Sequence, residues 1–135
     1  MSTKTFVNLP VKDVAKTVEF FTTLGFSFNQ QFSDENTKCM VISDDAYAML
    51  HAEPAFKSFT QQDITDTSKS REVIVGLSAA SREQVDDVLD KVVGGGGQAL
   101  GDPVDEGFMY MRAFRDLDGH QWSFIYMDMS AMPEQ

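Results

Sequence analysis

The stretch Phe6-Val7-Asn8-Leu9-Pro10-Val11-Lys12-Asp13-Val14-Ala15-Lys16-Thr17-Val18-Glu19-Phe20-Phe21-Thr22-Thr23-Leu24-Gly25 reads as a strand, a cap, a helix and a stop. Phe6 to Val11 has strand composition, with Pro10 marking its end or an edge. Asp13 fits an N-cap. Val14, Val18, Phe21 and Leu24 fall on one helical face. Gly25 suits the place just past a helix, where a positive φ is needed. Beyond it, Phe26-Ser27-Phe28 with Phe32 suggests a second strand. Cys39 to Ile42 and Ala46 to Leu50 suggest a hairpin around Ser43-Asp44-Asp45.

The same order starts again near Glu72. Val73 to Leu77 is a short apolar run, read as a buried strand. Ser81 with Gln84 makes a capping box. Val85, Val88, Leu89 and Val92 form a helical stripe, and Gly94 to Gly97 stops it. Phe108 to Phe114 and Trp122 to Tyr126 read as strands around the turn Asp116-Leu117-Asp118-Gly119. A type I turn with Gly119 in the left-handed region is the simplest form. A shift of 68 residues lays Leu9 on Leu77, Asp13 on Ser81, Phe20 on Val88, Phe21 on Leu89 and Leu24 on Val92. The reading is a duplicated β-α-β-β-β unit, at about 5–54 and 70–128. Residues 55–69 form the crossover, with a short helix around Pro54 and Phe56-Lys57-Ser58-Phe59.

At 135 residues the chain matches one domain, 1–135, on a prior of about 150 residues per domain. The net charge of −10 argues against nucleic acid and anionic membranes, which demand a basic surface. Cys39 is the only cysteine, so no internal disulfide forms. The start, Met1-Ser2-Thr3-Lys4, lacks a signal peptide's apolar core. No apolar run approaches the roughly 20 residues that span a bilayer. The expected setting is cytoplasmic.

Three stretches resemble the vicinal oxygen chelate superfamily: glyoxalase I, bleomycin resistance proteins and extradiol dioxygenases. Val7 to Asp13 followed by Val18-Glu19-Phe20-Phe21 looks like the family's opening strand and helix. Leu24-Gly25-Phe26 looks like its helix end. Asp116-Leu117-Asp118-Gly119-His120 looks like its turn before the last strand. The resemblance implies an α+β fold. Two tandem βαβββ units form a half-open, cup-shaped mixed sheet, with helices on the outside.

In metal-using relatives four His or Glu ligands stand inside the cup, on each unit's first and last strand. A divalent ion there stabilises developing negative charge as a Lewis acid. Carried over, the four places fall on Phe6, Leu50 (within one residue), Ile74 and Ser123. Hydrocarbon side chains do not ligate, and a divalent ion here needs imidazole or carboxylate. No metal site is therefore expected. His51, Glu53, Glu72 and His120 are the remaining candidates. His51 enters the cup only if the placement at Leu50 slips by one, because side chains alternate across a strand.

Other signals are weaker. Gly94 to Gly97 follows a helix, whereas phosphate-binding loops precede one. Asp116-Leu117-Asp118-Gly119 fails as a calcium loop, with Gln121 at the sixth place and Met127 at the twelfth. Cys39 lies in an apolar strand and reads as a small buried residue rather than a nucleophile.

With Phe6, Leu50, Ile74 and Ser123 facing inward, alternation adds Asn8, Ala48, Glu72, Gly76, Gln121 and Ile125. A glycine-bulge turn would pair Ala113 with Ser123 and bring Met111 inward. A two-residue turn would bring Tyr110 and Arg112 inward instead. The expected ligand-binding set is Phe6, Asn8, Leu50, Ile74, Met111, Gln121 and Ser123, with catalytic residues unassigned. Apolar walls with sparse polar groups suit a small organic molecule. The same residues would also fill a second core. The expectation is a homodimer that binds a small organic molecule without the family metal. Two alternatives stand beside it. One is a divalent-metal-dependent, glyoxalase-like lyase or dioxygenase with displaced ligands. The other is an interaction domain with a filled interior. The tail, Met127 to Met132, would pack across a dimer junction or fray.

Overall fold

The computed structural model describes residues 3–131, so Met132 lies outside the described part. The chain divides into two compact units, Met1–Thr65 and Asp66–Gln135. The division falls inside the expected crossover. No helix among the described residues is long and apolar enough to cross a membrane.

The first unit runs β1 (Thr5–Val11), α1 (Val14–Thr23), β2 (Ser27–Asn29), β3 (Thr37–Val41), β4 (Ala46–Ala52) and α2 (Glu53–Thr60). Its sheet has the order β1-β4-β3-β2, with β1 parallel to β4 and the other pairs antiparallel. Leu9 and Val11 are buried on one face of β1, while Phe6 and Asn8 are exposed on the other. α1 starts where expected, because the Asp13 carboxylate accepts the Lys16 amide at 3.1 Å. It buries Thr17, Phe20 and Phe21, and Gly25 ends it at φ +108°. α1 packs on β2, β3 and β4, whereas α2 packs on β1 and β4.

The second unit repeats the plan as β5 (Ile74–Ser78), α3 (Arg82–Gly94), β6 (Gln98–Asp105), β7 (Met109–Arg115) and β8 (Gln121–Met127). The order is β5-β8-β7-β6, again with the first strand parallel to the last. The residues that the 68-residue shift pairs in the helices are buried in both units: Phe20 and Val88, Phe21 and Leu89, Leu24 and Val92. In the second unit that stripe packs over Phe114, Trp122 and Phe124. Phe114 stacks on Trp122 at 6.5 Å between ring centres and on Phe124 at 6.1 Å. The fold is thus α+β, with two tandem βαβββ units.

Three local expectations change. The run Val73 to Leu77 is not buried on both faces: Ile74 is 61% exposed, and only Val75 and Leu77 turn inward. An apolar run cannot distinguish one covered face from two. In the capping box, Ser81 Oγ accepts the Gln84 amide at 3.0 Å, but Gln84 Oε1 reaches back to the Ala80 amide at 2.6 Å. β6 gave no strand signal because Gly101, Asp102 and Pro103 interrupt it. There its register against β7 shifts between Leu100 and Val104.

Candidate functional site

Strand pairing decides which side chains share a face, since residues paired across a sheet point the same way. In the first unit Phe6 pairs with Tyr47, Asn8 with Met49 and Pro10 with His51. Across β3, Thr37 pairs with His51 and Cys39 with Met49. Phe6, Asn8, Tyr47, Met49, His51 and Thr37 therefore lie on one face. Leu50 pairs with Leu9 on the opposite, core face and is 1% exposed. Its expected place beside Phe6 and Asn8 is overturned, along with that of Ala48. Side-chain alternation makes a one-residue misplacement a change of face.

His51 is the centre of this face. Its ring is buried, with Nε2 2.8 Å from Asn8 Oδ1 and Nδ1 2.7 Å from Thr37 Oγ1. An amide oxygen only accepts, so Nε2 carries the hydrogen and Nδ1 accepts from the threonine hydroxyl. Burial pushes the imidazole below its ordinary value, partly opposed by the charge of Asp34. The ring is thus held neutral in one tautomer. Asn8 Nδ2 donates to the Phe6 carbonyl at 3.3 Å. That uses one amide hydrogen and leaves the other without a partner among the described residues.

α2 supplies the walls. Pro54 in its first turn presets the backbone, and Gln61 stops the helix in the left-handed conformation at φ +59°. Phe59 lies edge-on to the His51 ring at 5.2 Å and Phe56 tilts against it at 6.3 Å. Asn8, His51, Phe56, Phe59 and Thr60 line a cavity of about 440 Å³. None of these five is charged at neutral pH, and Phe59 remains 70% exposed.

In the second unit, Ile74 pairs with Gln121 and Gly76 with Ser123, while Ala113 and Met111 oppose Ser123 and Ile125. This is the glycine-bulge register: Gly119 takes φ +81°, and the Asp116 amide donates to the His120 carbonyl at 3.0 Å. Ile74, Met111, Gln121 and Ser123 thus share a face. Arg112 and Tyr110 point to α3, where both reach Asp86, at 3.2 and 2.7 Å. Gly76 leaves room on this face, for a Cβ there would meet Ser123 Oγ at 3.3 Å. Gly76, Leu77, Ser78, Ala79, Ile125 and Met127 border a smaller hollow of about 240 Å³.

Sequence reasoning missed Phe56, Phe59, Thr60 and Thr37, and set His51 aside. The signal for the phenylalanines was their spacing of three on a short helix. Nothing local tied that helix to His51.

The model of the bleomycin resistance protein-like N-terminal family matches residues 3–43. A hypothetical protein from S. aureus is 27% identical, with TM-score 0.80, covering 93% of this chain and 95% of its own. A glyoxalase/bleomycin resistance protein/dioxygenase family enzyme from Burkholderia phytofirmans superposes with TM-score 0.76 at 12% identity, covering 93% and 99%. The chain has the vicinal oxygen chelate fold. The fosfomycin resistance protein FosX of Listeria monocytogenes also shares the fold, with TM-score 0.68 at 16% identity over 97% and 98% of the chains. No curated protein is similar enough to count as a match.

Within that fold the register refines the ligand comparison. Ser123 stands two residues beyond the partner of Ile74, and the residue two beyond the partner of Phe6 is Met49. The four corresponding places therefore hold Phe6, Met49, Ile74 and Ser123. This set offers neither imidazole nor carboxylate and does not fit a divalent ion.

Proposed function

We propose that this vicinal oxygen chelate-fold protein binds a small organic molecule without the family's metal, and that the cavity over His51 is where it does so. The supporting observation is the cavity itself: a buried neutral histidine for a floor, two phenylalanines for walls, and one unspent amide hydrogen. Apolar walls supply affinity and a few fixed polar groups supply orientation. Covering the Phe59 ring would contribute about 2 kcal/mol at most. Phe6 stays in this reading on the same face as Asn8 and His51, and Ile74, Met111, Gln121 and Ser123 stay as a separate candidate face on the sheet of the second unit.

A homodimer in the cytoplasm belongs to the same proposal. Its support is that large apolar side chains, among them Val73, Ile74, Met127 and Met129 of the second unit, stand exposed to solvent. Sedimentation of the purified chain tests it.

The test of function is a screen of uncharged small aromatics against the full chain, read by amide chemical shifts. Binding is expected to move the amides of residues 8, 51, 56 and 59, and Phe59→Ala should weaken it about tenfold or more. Saturable binding of nickel, zinc or manganese at one ion per chain would instead favour the metal-dependent lyase or dioxygenase reading. Failure of every compound would favour the filled-interior interaction domain.

A further inference from the structure

The cavity over His51 carries enough chemistry to say what class of molecule suits it. We infer, resting on the binding reading above, that its ligand is an uncharged, flat molecule bearing a hydrogen-bond acceptor, that Asn8 is the residue that selects the acceptor, and that His51 positions Asn8.

Charge is disfavoured from both sides. The lining residues Asn8, His51, Phe56, Phe59 and Thr60 include no carboxylate to pair a cation and no lysine or arginine to pair an anion. The two charged residues of α2 nearest these walls are Glu53 and Lys57. Lys57 is engaged 3.1 Å from Asp63, and Glu53 stands in the first turn, outside the lining. Flatness follows from the walls. Phe59 presents most of its ring to solvent and meets His51 edge-on, so a planar guest can lie against aromatic surface.

The polar demand is one-sided. His51 Nε2 and Nδ1 are both spent on protein partners, at 2.8 and 2.7 Å. The Thr60 hydroxyl donates to the Gln62 carbonyl at 3.3 Å and accepts its amide at 3.1 Å. The remaining donor is the second Nδ2 hydrogen of Asn8, which calls for an acceptor on the guest. Because Asn8 Nδ2 donates to the Phe6 carbonyl, a flipped amide would set oxygen against oxygen, so Oδ1 stays turned to His51 Nε2. The Phe6 carbonyl thus fixes the sense of the hydrogen bond, and the Thr37–His51 pair holds Asn8 in place.

Rings also attract cations, and the protein's net charge is −10. A set of probes on one skeleton separates these pulls: 2-acetylnaphthalene, 2-ethylnaphthalene, 1-(2-naphthyl)ethylammonium and 2-naphthoate, titrated into the full chain by calorimetry or amide shifts. The ketone is expected to bind about three- to tenfold tighter than the ethyl compound, the effect of one net hydrogen bond. Both charged probes should bind more weakly than the ketone. Asn8→Ala should erase the ketone's advantage while keeping ethyl binding, and His51→Gln should narrow it. A purely structural role for His51 would lower all affinities together and leave the ratio alone.

The ammonium or the naphthoate binding tightest would overturn the inference. So would an advantage for the ketone that survives Asn8→Ala. The probe ranking on the unmodified chain stands whether or not a variant folds. Equal binding of ketone and ethyl probes sinks only the acceptor claim and leaves the binding reading intact. Binding by none of the four sinks both.

Discussion

The two units share a backbone plan but differ in what their sheets carry away from α1 and α3. In the first unit a polar relay, Thr37, His51 and Asn8, sits on that face beneath two phenylalanines of α2. In the second unit the same strand positions hold Ile74, Gly76, Met111, Ser123 and Ile125, with a smaller hollow. The helix-facing sides, by contrast, are both packed with apolar residues against α1 and α3. The comparison teaches that the duplicated scaffold constrains the helix side and the caps, and leaves the other face free to diverge. Chemistry is to be sought where the repeats disagree.

The turns before the last strands are expected to show the largest difference in stability. In the second unit Asp116 Oδ1 accepts the amides of Asp118 and His120 at 2.9 and 3.0 Å, and Oδ2 accepts the buried Trp122 indole at 2.9 Å. The matching turn of the first unit, Ser43-Asp44-Asp45, is exposed. Asp116→Ala is therefore expected to cost about 3 kcal/mol, since three donors lose their acceptor. Asp44→Ala should stay within about 0.5 kcal/mol. Urea unfolding of both variants checks the contrast. Equal costs would mean that the Asp116 cluster stabilises nothing beyond an ordinary surface turn.

The caps should behave alike. Asp13→Ala and Ser81→Ala each remove one side-chain cap, at 3.1 and 3.0 Å, and each is expected to cost about 1 kcal/mol. A clear inequality in unfolding midpoints would show that one helix depends on its cap more than the repeat implies.

The smallest effect is expected from pH at the His51 ring of the first unit. Burial lowers the His51 value in the folded chain, while the unfolded ring keeps its ordinary 6.5. Above 6.5 the ring is neutral in both states and its contribution is complete. As pH falls below 6.5 the unfolded chain takes the proton first, so stability declines until the folded ring also titrates. Comparing unfolding midpoints above and below 6.5 should show this loss in the native chain and its absence in His51→Gln. An identical pH profile for both would break the assignment of a neutral, buried ring.

Much of the scaffold could be read from local chemistry. Asp13 and Ser81 announced helix starts, Gly25 announced a stop, and Gly119 announced the turn that set the β7–β8 register. These features act within a few residues, so the chain itself displays them. β6 escaped because a bulge around Gly101 and Pro103 mimics a loop. The sheet faces were legible only in part. Asn8, Ile74, Met111, Gln121 and Ser123 lie on the expected faces, but Leu50 does not, because alternation fixes faces only once the pairing is known.

From the order of residues alone came the duplication, the caps and the turn glycine, since each is a matter of spacing or side-chain type. Tertiary structure alone decided that His51 and not Leu50 shares a face with Asn8, and that Phe56 and Phe59 wall it in. Those facts depend on which strand pairs with which, 43 residues apart for Asn8 and His51. Such pairing is written in the hydrogen-bond register of the sheet rather than in any local pattern.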